Sequence, residues 1–166
     1  MFRKSKRNTV SKIIEGNLDY LVRFAYFRLG NHVEAEDLVY DAVLRFLEKA
    51  PDDIRPESVR LYLFRIVHNL CLDKTRAGHK DWVTIDGIDV EDSTTDSLDL
   101  EDADRINACL DSIPQREADV IRMNVIDNLS FVEISVILSI PQSTAKSRYR
   151  LGMDKLRKLF INNKLS

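Results

Sequence analysis

The chain has 166 residues, of which 44% are hydrophobic and 31% charged, with a formal net charge of −2. This hydrophobic content excludes wholesale disorder, and the length admits one ordinary domain or two small ones. Five glycines and four prolines are few for a turn-rich β architecture, so we expect an all-α fold. The longest apolar run, FVEISVILSI, is too short to span a bilayer, and the basic first residues lack the apolar run of a secretory signal. We therefore expect a cytoplasmic protein that is not inserted in a membrane.

Three helices are predicted in residues 8–79, which form the first predicted domain. Apolar residues recur at intervals of three and four from 10 to 29, and Gly30 ends this helix. The run HVEAEDLVYDAVLRFLEKA repeats the pattern and is closed by Pro51. The third helix can begin at Pro56 and continue to Gly78, with apolar residues over most of its circumference. Such helices predict a small helical bundle.

Residues 80–104 differ in character from the flanking segments. Between 81 and 104 there are ten acidic residues and no basic one, and the aliphatic residues follow no period. A one-signed segment of this kind predicts a flexible, self-repelling linker. Because basic segments flank this linker, we also put forward the hypothesis that it inhibits DNA binding by the free protein.

The second predicted domain, residues 105–163, contains a helix-turn-helix. One helix ends near Leu110, and Pro114 opens the next. Ser130 and Glu133 have the spacing of a capping box before the short helix FVEISVIL, and a tight turn leads to Pro141 in the first turn of the last helix. Two helices joined by so short a turn match the unit whose second helix enters the major groove.

The last helix has two different faces. At about 100° per residue, Ala145, Tyr149 and Gly152 share a small and apolar face. Lys146 and Arg150 lie opposite, and Arg148 falls at the boundary. A row of donors opposite a packing face is typical of a helix that contacts phosphates and base edges. Basic residues late in a helix also complement its dipole, but here they coincide with a capping box and a tight turn, which favours DNA binding.

Three blocks of the sequence resemble, in order, the conserved blocks of the bacterial RNA polymerase sigma-70 family, in its extracytoplasmic-function (ECF) group. The blocks are LVRFAYFRLGNHVEAEDLVYDAVLRFLEKA, LYLFRIVHNLCLDKTR and IPQREADVIRMNVIDNLSFVEISVILSIPQSTAKSRYR. The resemblance implies a sigma domain 2-like bundle and a sigma domain 4-like helix-turn-helix. It implies that the first block docks on the clamp helices of core RNA polymerase, the second handles the minus-10 promoter element and the third binds the minus-35 element.

The resemblance implies three groups of site residues. The polymerase-docking residues are Glu36, Asp37, Leu38, Asp41 and Leu44. The minus-10 residues are Tyr62, Arg65, His68, Asn69, Asp73, Lys74 and Arg76. The minus-35 residues are Gln142, Ser143, Thr144, Lys146, Ser147, Arg148 and Arg150. Alternatives stay open for some of them: a solvated acidic face for the first group, core packing for Tyr62, and structural roles at helix ends for Asn69 and Asp73.

The chain departs from family-typical residue types at several positions. These are Tyr40 and Asp41, where Gln and Glu are common, Tyr62 in place of Trp, His68 and Asn124 in place of Arg, and Ser139 in place of the turn glycine. Leu151 and Met153 stand at positions that are often basic. Because each phosphate contact adds salt-dependent affinity, we expect weaker phosphate attraction from this half of the chain.

The sequence contains few residues that could form a catalytic or metal-binding site. His68, Cys71 and His79 could suggest a ligand cluster, but a structural zinc site takes four well-spaced ligands, and the chain has three histidines and two cysteines. No phosphate-binding glycine loop or nucleophile elbow is present. We expect no enzyme activity, no metal, no cofactor and no small-molecule substrate.

The expected partners are core RNA polymerase, promoter DNA and, as the resemblance implies, an anti-sigma factor. Two alternatives remain at this point. The chain could be a stand-alone helix-turn-helix regulator, although no obvious dimer helix favours one. It could also be a sigma-like decoy that binds an anti-sigma factor without starting transcription.

Overall fold

The computed structural model describes residues 2–77 and 100–165, with side chains for 4–75 and 100–162. The chain divides into two compact units, Met1–Ser93 and Thr94–Ser166. All regular elements in the described ranges are helices, which confirms the all-α prediction. The predicted linker lies outside the described residues up to position 99.

The first unit is a bundle of three helices, α1 (Phe2–Leu29), α2 (His32–Lys49) and α3 (Pro56–Ala77). Each packs against the other two. Gly30, at φ 73°, ends α1 in the left-handed conformation that glycine adopts at little cost. The Asn31 side chain accepts a hydrogen bond from the Glu34 backbone N–H at 3.1 Å and so caps α2. The α1 helix begins eight residues before the predicted start at 10, because its first residues lack apolar periodicity but form helix readily.

Aromatic side chains fill the core of the first unit. Phe24, Phe46 and Phe64 are at most 2% exposed, one from each helix. The rings of Phe24 and Phe64 meet edge to face, with centroids 5.2 Å apart and planes at 77°. Contacts of this geometry add to the free energy of area burial, and they fix the rotation of α1 against α3.

The second unit contains α4 (Leu100–Leu110), α5 (Gln115–Ile121), a π-helical turn (Arg122–Ile126), α6 (Phe131–Leu138) and α7 (Gln142–Leu165). The α4 helix begins inside the range 80–104 that the sequence analysis assigned to the linker. Its buried Ala103 and Leu110 lie two turns apart and give it a packing face. Pro141 precedes α7 rather than lying within it, and its carbonyl accepts the first helical hydrogen bond, from the Ala145 N–H at 3.1 Å.

The turn between α6 and α7 is closed by a serine in a left-handed conformation. Ser139 has φ 55° and ψ 45°. Its N–H donates to the Val136 carbonyl at 3.3 Å, and the Ile140 N–H donates to the Ser135 carbonyl at 3.0 Å. This pattern is a Schellman motif, in which glycine is the usual residue. A serine here costs about 1 kcal/mol relative to glycine, a strain that the rest of the unit holds in place.

The α7 helix approaches α5 most closely at Gly152. A Cβ added to Gly152 would lie 2.6 Å from Ile121 Cδ1 and 3.1 Å from Glu117 Cβ. Ile121 is 1% exposed, so its side chain has little room to move aside. Only glycine allows this approach, which sets the rotation of α7.

We expect Gly152→Ala to lower the free energy of unfolding of the second unit by about 1–3 kcal/mol, because the methyl group overpacks the contact with Ile121. The matched control is Gly16→Ala in α1, where nothing lies within 4 Å of an added Cβ. That change should stabilise the first unit by about 0.5–1 kcal/mol through helix propensity. Thermal and urea unfolding of the full chain measures both changes. Equal effects of the two substitutions would contradict the close contact.

Candidate functional site

The α7 helix presents a polar face opposite its packing face. Ala145 and Gly152 are buried, and the half-buried Tyr149 ring meets Phe131 of α6 edge to face at 5.3 Å. The exposed residues of the predicted minus-35 group are Gln142, Ser143, Lys146, Ser147 and Arg150, while Thr144 and Arg148 are half-buried. The structure therefore brings this group together on one accessible surface, with Arg148 at its edge as expected.

Capping and an ion pair hold this surface in place. Ser130 Oγ accepts from the Glu133 N–H at 3.2 Å while Glu133 Oε1 accepts from the Ser130 N–H at 3.1 Å, which confirms the predicted capping box at the start of α6. Lys155 Nζ of α7 donates to Glu117 Oε1 of α5 at 2.8 Å, and Glu117 is 8% exposed. The polar face thus rests on a packed scaffold, which favours a defined docking geometry.

A buried arginine ties α4 to α5, although the sequence analysis did not single it out. Arg122 is 7% exposed. Its Nε donates to Asn107 Oδ1 at 2.7 Å, and its NH1 group donates to Asp119 Oδ1 at 3.1 Å. A guanidinium placed this deep needs such partners, because an unpaired buried charge is strongly unfavourable. Its position at the start of the π-helical turn makes it a structural residue.

Most of the predicted minus-10 group lies on exposed parts of α3. Arg65, Asn69 and Asp73 share one face of the helix, whereas Lys74, nine residues after Arg65, lies roughly on the opposite side. Tyr62 is half-buried, with its ring 5.6 Å from that of Phe46, so packing and an exposed edge coexist there. Arg76 belongs to α3, but its side chain lies outside the described residues.

His68 is a correction to the predicted minus-10 group. It is 4% exposed and lies in the core, with its ring 6.5 Å from that of Phe24. Burial and, to a smaller extent, the positive charge of the nearby Arg28 guanidinium together lower the pKa of His68 from 6.5 to about 3. A buried, uncharged imidazole cannot contact a phosphate in this conformation, so His68 is a core residue.

The predicted docking group on α2 needs one correction. Leu38 is 4% exposed and belongs to the core, because it follows the buried face of the helix together with Ala35 and Ala42. Leu44 is 51% exposed, and Asp37 is also exposed. The remaining acidic members, Glu36 and Asp41, are exposed as well.

A row of exposed residues along α2 has the spacing of a coiled-coil contact. Val33, Asp37, Tyr40, Leu44 and Leu47 follow one another at intervals of four, three, four and three residues. The four apolar members are 51% to 74% exposed, and Tyr40 is the most exposed of them. We call this row the α2 seam. The sequence analysis missed three of its members, although their 4-3-4-3 spacing was a readable signal.

Acidic residues flank the α2 seam on both sides. Glu34, Asp41 and Glu48 lie along one side and Glu36 along the other. Within the helix, Asp41 forms an exposed ion pair with Arg45 at 3.4 Å, which is of small energetic value. Glu36 Oε1 lies 2.9 Å from Nε2 of the half-buried His32. The seam therefore fits a partner helix whose apolar stripe is flanked by basic residues, and like charges disfavour its pairing with a second copy.

Two further findings concern metals and membranes. In the part of the chain that the structure describes, no three His, Cys, Asp or Glu side chains come together in a way that could hold a metal ion. Across the same residues, no helix combines the length and apolar character needed to cross a bilayer.

Comparisons with known proteins decide the family. The protein-family model described as Sigma-70 region 2 matches residues 13–80, and the family model described as Sigma-70, region 4 matches residues 109–158. The chain belongs to the sigma-70 family. The first match spans the second part of α1 with α2 and α3, and the second spans the helix-turn-helix, in the order that the sequence predicted.

Two curated relatives place this sigma factor in the ECF group. It is 28% identical over 173 residues to the ECF RNA polymerase sigma factor SigW of Bacillus subtilis, covering 94% of this chain and 91% of the relative. It is also 28% identical over 156 residues to the ECF RNA polymerase sigma factor SigE of Mycolicibacterium smegmatis, covering 88% of this chain and 59% of that protein. The chain thus spans about three fifths of the length of the second relative.

Two solved structures share the fold of this sigma factor. CnrH, solved in complex with the cytosolic domain of CnrY, has a TM-score of 0.70 at 20% identity and covers 96% of this chain and 92% of its own. The sigma factor RpoE, solved with the anti-sigma factor NepR from Bartonella quintana, has a TM-score of 0.63 at 20% identity and covers 95% and 97%. At this level of identity the likeness establishes the fold.

Membership of the family carries the general function. This sigma factor binds core RNA polymerase and directs promoter-specific transcription initiation. The sigma-70 family is not known as a family of catalysts.

The burial of His68 predicts a dependence of stability on pH. Its pKa is about 3 in the folded state against 6.5 as the ordinary value, so the unfolded chain binds more protons between these values. Stability should therefore fall as the pH drops below 6.5 toward 3, by at most about 1.4 kcal/mol per pH unit from this residue. Urea unfolding of the wild type and of His68→Leu between pH 7 and pH 4.5 measures the difference.

The control for this experiment is Val67→Ala, which shortens a fully buried apolar side chain next to His68 in the sequence and leaves the imidazole in place. This variant should lose stability but keep the full pH dependence of the wild type in that window. A stability difference between wild type and His68→Leu that stays constant with pH would contradict the neutral, buried imidazole.

Proposed function

We propose that this sigma factor uses three surfaces, one for each step of promoter recognition. The α2 seam docks on the clamp helices of core RNA polymerase, the exposed face of α3 handles the minus-10 element, and the polar face of α7 binds the minus-35 element. The observation that carries the proposal is the α7 face, where donors stand together opposite a packed stripe. Since RNA polymerase is the partner, we place the protein in the cytoplasm.

The α2 seam supports the docking step by its spacing and its charge. Four exposed apolar side chains in a 4-3-4-3 row are shielded from water only when another helix covers them. The flanking carboxylates then select a basic partner helix and steer its approach. Leu44 and the acidic residues of the predicted docking group remain in this surface. Leu38 packs beneath it in the core, and Tyr40 lies at its centre.

The α3 face supports contact with the minus-10 element through its mixture of side chains. Arg65 supplies a charge for phosphate, and Asn69 supplies an amide that can pair with a base edge. The exposed edge of Tyr62 offers a surface on which an unpaired base can stack. The packing of Tyr62 on Phe46 holds that edge still, so its two roles are compatible.

We also propose that an anti-sigma factor controls this protein. One support is that the solved neighbour RpoE was captured with an anti-sigma factor. A second is the exposed apolar surface of both units, which includes Tyr40 at 74% and Val132 at 55%. Surfaces of this kind need a cover in the free protein, and a competitor for the polymerase would provide it. The suggested self-inhibition by the acidic segment remains a prediction about residues outside the described ranges.

Tyr40→Ala with Leu44→Ala should weaken binding to core polymerase by roughly 10- to 100-fold, because both side chains lie in the middle of the α2 seam. The control is Leu18→Ala with Tyr20→Ala, which removes the same two side-chain types at exposed positions of α1. Titration of fluorescently labelled sigma factor with core polymerase measures both affinities. Equal losses in the two double variants would count against the seam.

Run-off transcription tests the function as a whole. Purified core polymerase from the same organism, this protein and a pool of genomic fragments should give new, defined start sites that core alone does not. Lys146→Ala with Arg150→Ala should reduce these transcripts roughly tenfold or more, because both cations leave the minus-35 surface. Arg116→Ala with Lys158→Ala removes two exposed cations elsewhere in the same unit and should have little effect.

The outcomes of that assay separate the alternatives. A protein that binds core polymerase but starts no transcript would be a decoy. A protein that ignores core polymerase and still retains duplex DNA would be a stand-alone regulator. Either result would overturn the proposal.

A further inference from the structure

The first three turns of α1 carry a basic surface that precedes the region 2 match at residues 13–80. Residues 1–12 contain five basic residues and no acidic one. Lys4, Arg7 and Lys12 are exposed, and the exposed Asn8 lies between them on the helix. We call residues 2–12 the basic arm. On its exposed side it offers charges and hydrogen-bond donors, with no large apolar side chain among them.

The basic arm decides the sign of the charge of the three-helix bundle, residues 1–77. These residues contain fourteen basic and eleven acidic residues, a net charge of +3. Without residues 1–12 the count is nine basic against eleven acidic residues, a net charge of −2. A bundle that must approach a polyanion would therefore repel it on average if the arm were absent.

A hydrogen bond fixes the basic arm beside the start of α3. Lys6 Nζ donates to the backbone carbonyl of Asp52 at 2.7 Å, in the segment that joins α2 to α3. The arm also continues without a break into the part of α1 that is packed in the core. It is therefore a helical projection beside the segment that leads into α3, the helix to which we assign the minus-10 element.

The acidic residues of the joining segment do not cancel the exposed cations. Asp52 lies on the side of the arm that Lys6 contacts. Lys4 and Lys12 are roughly 120–160° around the helix from Lys6, so they face away from that segment. The arm thus keeps a cationic face toward solvent.

We propose that the basic arm binds the sugar-phosphate backbone of promoter DNA next to the minus-10 element. The inference rests on the proposed function, because it uses α3 as the neighbouring DNA-binding surface. Lys4, Arg7 and Lys12 neutralise phosphates, and Asn8 donates a hydrogen bond to the same backbone. Contacts of this kind add affinity and position the duplex without reading its sequence. The arm then compensates for the absence of basic side chains at Leu151 and Met153 in the other unit.

The test compares holoenzymes made with wild type and with Lys4→Gln/Arg7→Gln/Lys12→Gln. Equilibrium binding to a promoter fragment is measured from 50 to 200 mM salt. The slope of log K against log salt should become shallower by roughly 2–3, about 0.9 for each phosphate that the variant no longer neutralises. The affinity should fall by a similar factor on different promoters, because the arm reads no bases.

The control is Lys49→Gln/Arg116→Gln/Lys158→Gln, which removes three exposed cations outside the arm. This variant should keep the wild-type slope. The affinity of each sigma factor for core polymerase is measured in parallel, and helix content is checked by circular dichroism. The arm variant should match the wild type in both measurements.

Three results would overturn the inference. An arm variant with the slope of the control makes no phosphate contact through these side chains. The arm variant could instead lose affinity for core polymerase while the salt dependence of promoter binding stays as in the wild type. The partner of the basic arm would then be an acidic surface of the polymerase. A wild-type holoenzyme that does not prefer promoter DNA to unrelated DNA overturns the proposed function and this inference with it, which distinguishes that failure from the first two.

Discussion

The contact between Gly152 of α7 and Ile121 of α5 is the constraint on which the DNA-binding surface depends. Because the Ile121 side chain fills the space beside Gly152, a residue larger than glycine does not fit there, and the contact fixes the rotation of α7 against α5. That rotation puts Ala145 inside and Lys146 and Arg150 outside. The Glu117–Lys155 ion pair lies at the same crossing, at 2.8 Å. The surface that carries Lys146 and Arg150 is thus positioned by a close glycine contact on the opposite face of the helix.

In the first unit, packed aromatic rings fix the orientation of the helices. Phe24 and Phe64 lock α1 against α3, and Phe46 brings in α2. The same cluster holds the half-buried Tyr62 and buries His68 as a neutral ring. The result is a helix α3 whose exposed face carries polar residues and whose neighbour α2 turns the apolar seam outward. Polymerase and DNA can then be bound on separate helices of one small bundle.

Periodicity was sufficient to predict the helices and the helix-turn-helix, since both depend on contacts within a few residues. The capping box of Ser130 and Glu133 and the opposite faces of α7 are local in this sense, and the structure agrees with them. The start of α1 was predicted less accurately. Its first turns are mostly polar and have no apolar period, so periodicity alone did not assign them to the helix.

The order of the helices, the position of the turn and the polar face of α7 follow from the amino-acid sequence alone, because spacing along a helix assigns residues to faces. Which of those faces are covered depends on the packing of the helices against one another. It moved His68 and Leu38 from the predicted surface into the core, and it left Val33, Tyr40 and Leu47 exposed as a seam. Coverage depends on contacts between residues far apart in the chain, such as Phe24 with His68, and no local pattern specifies them.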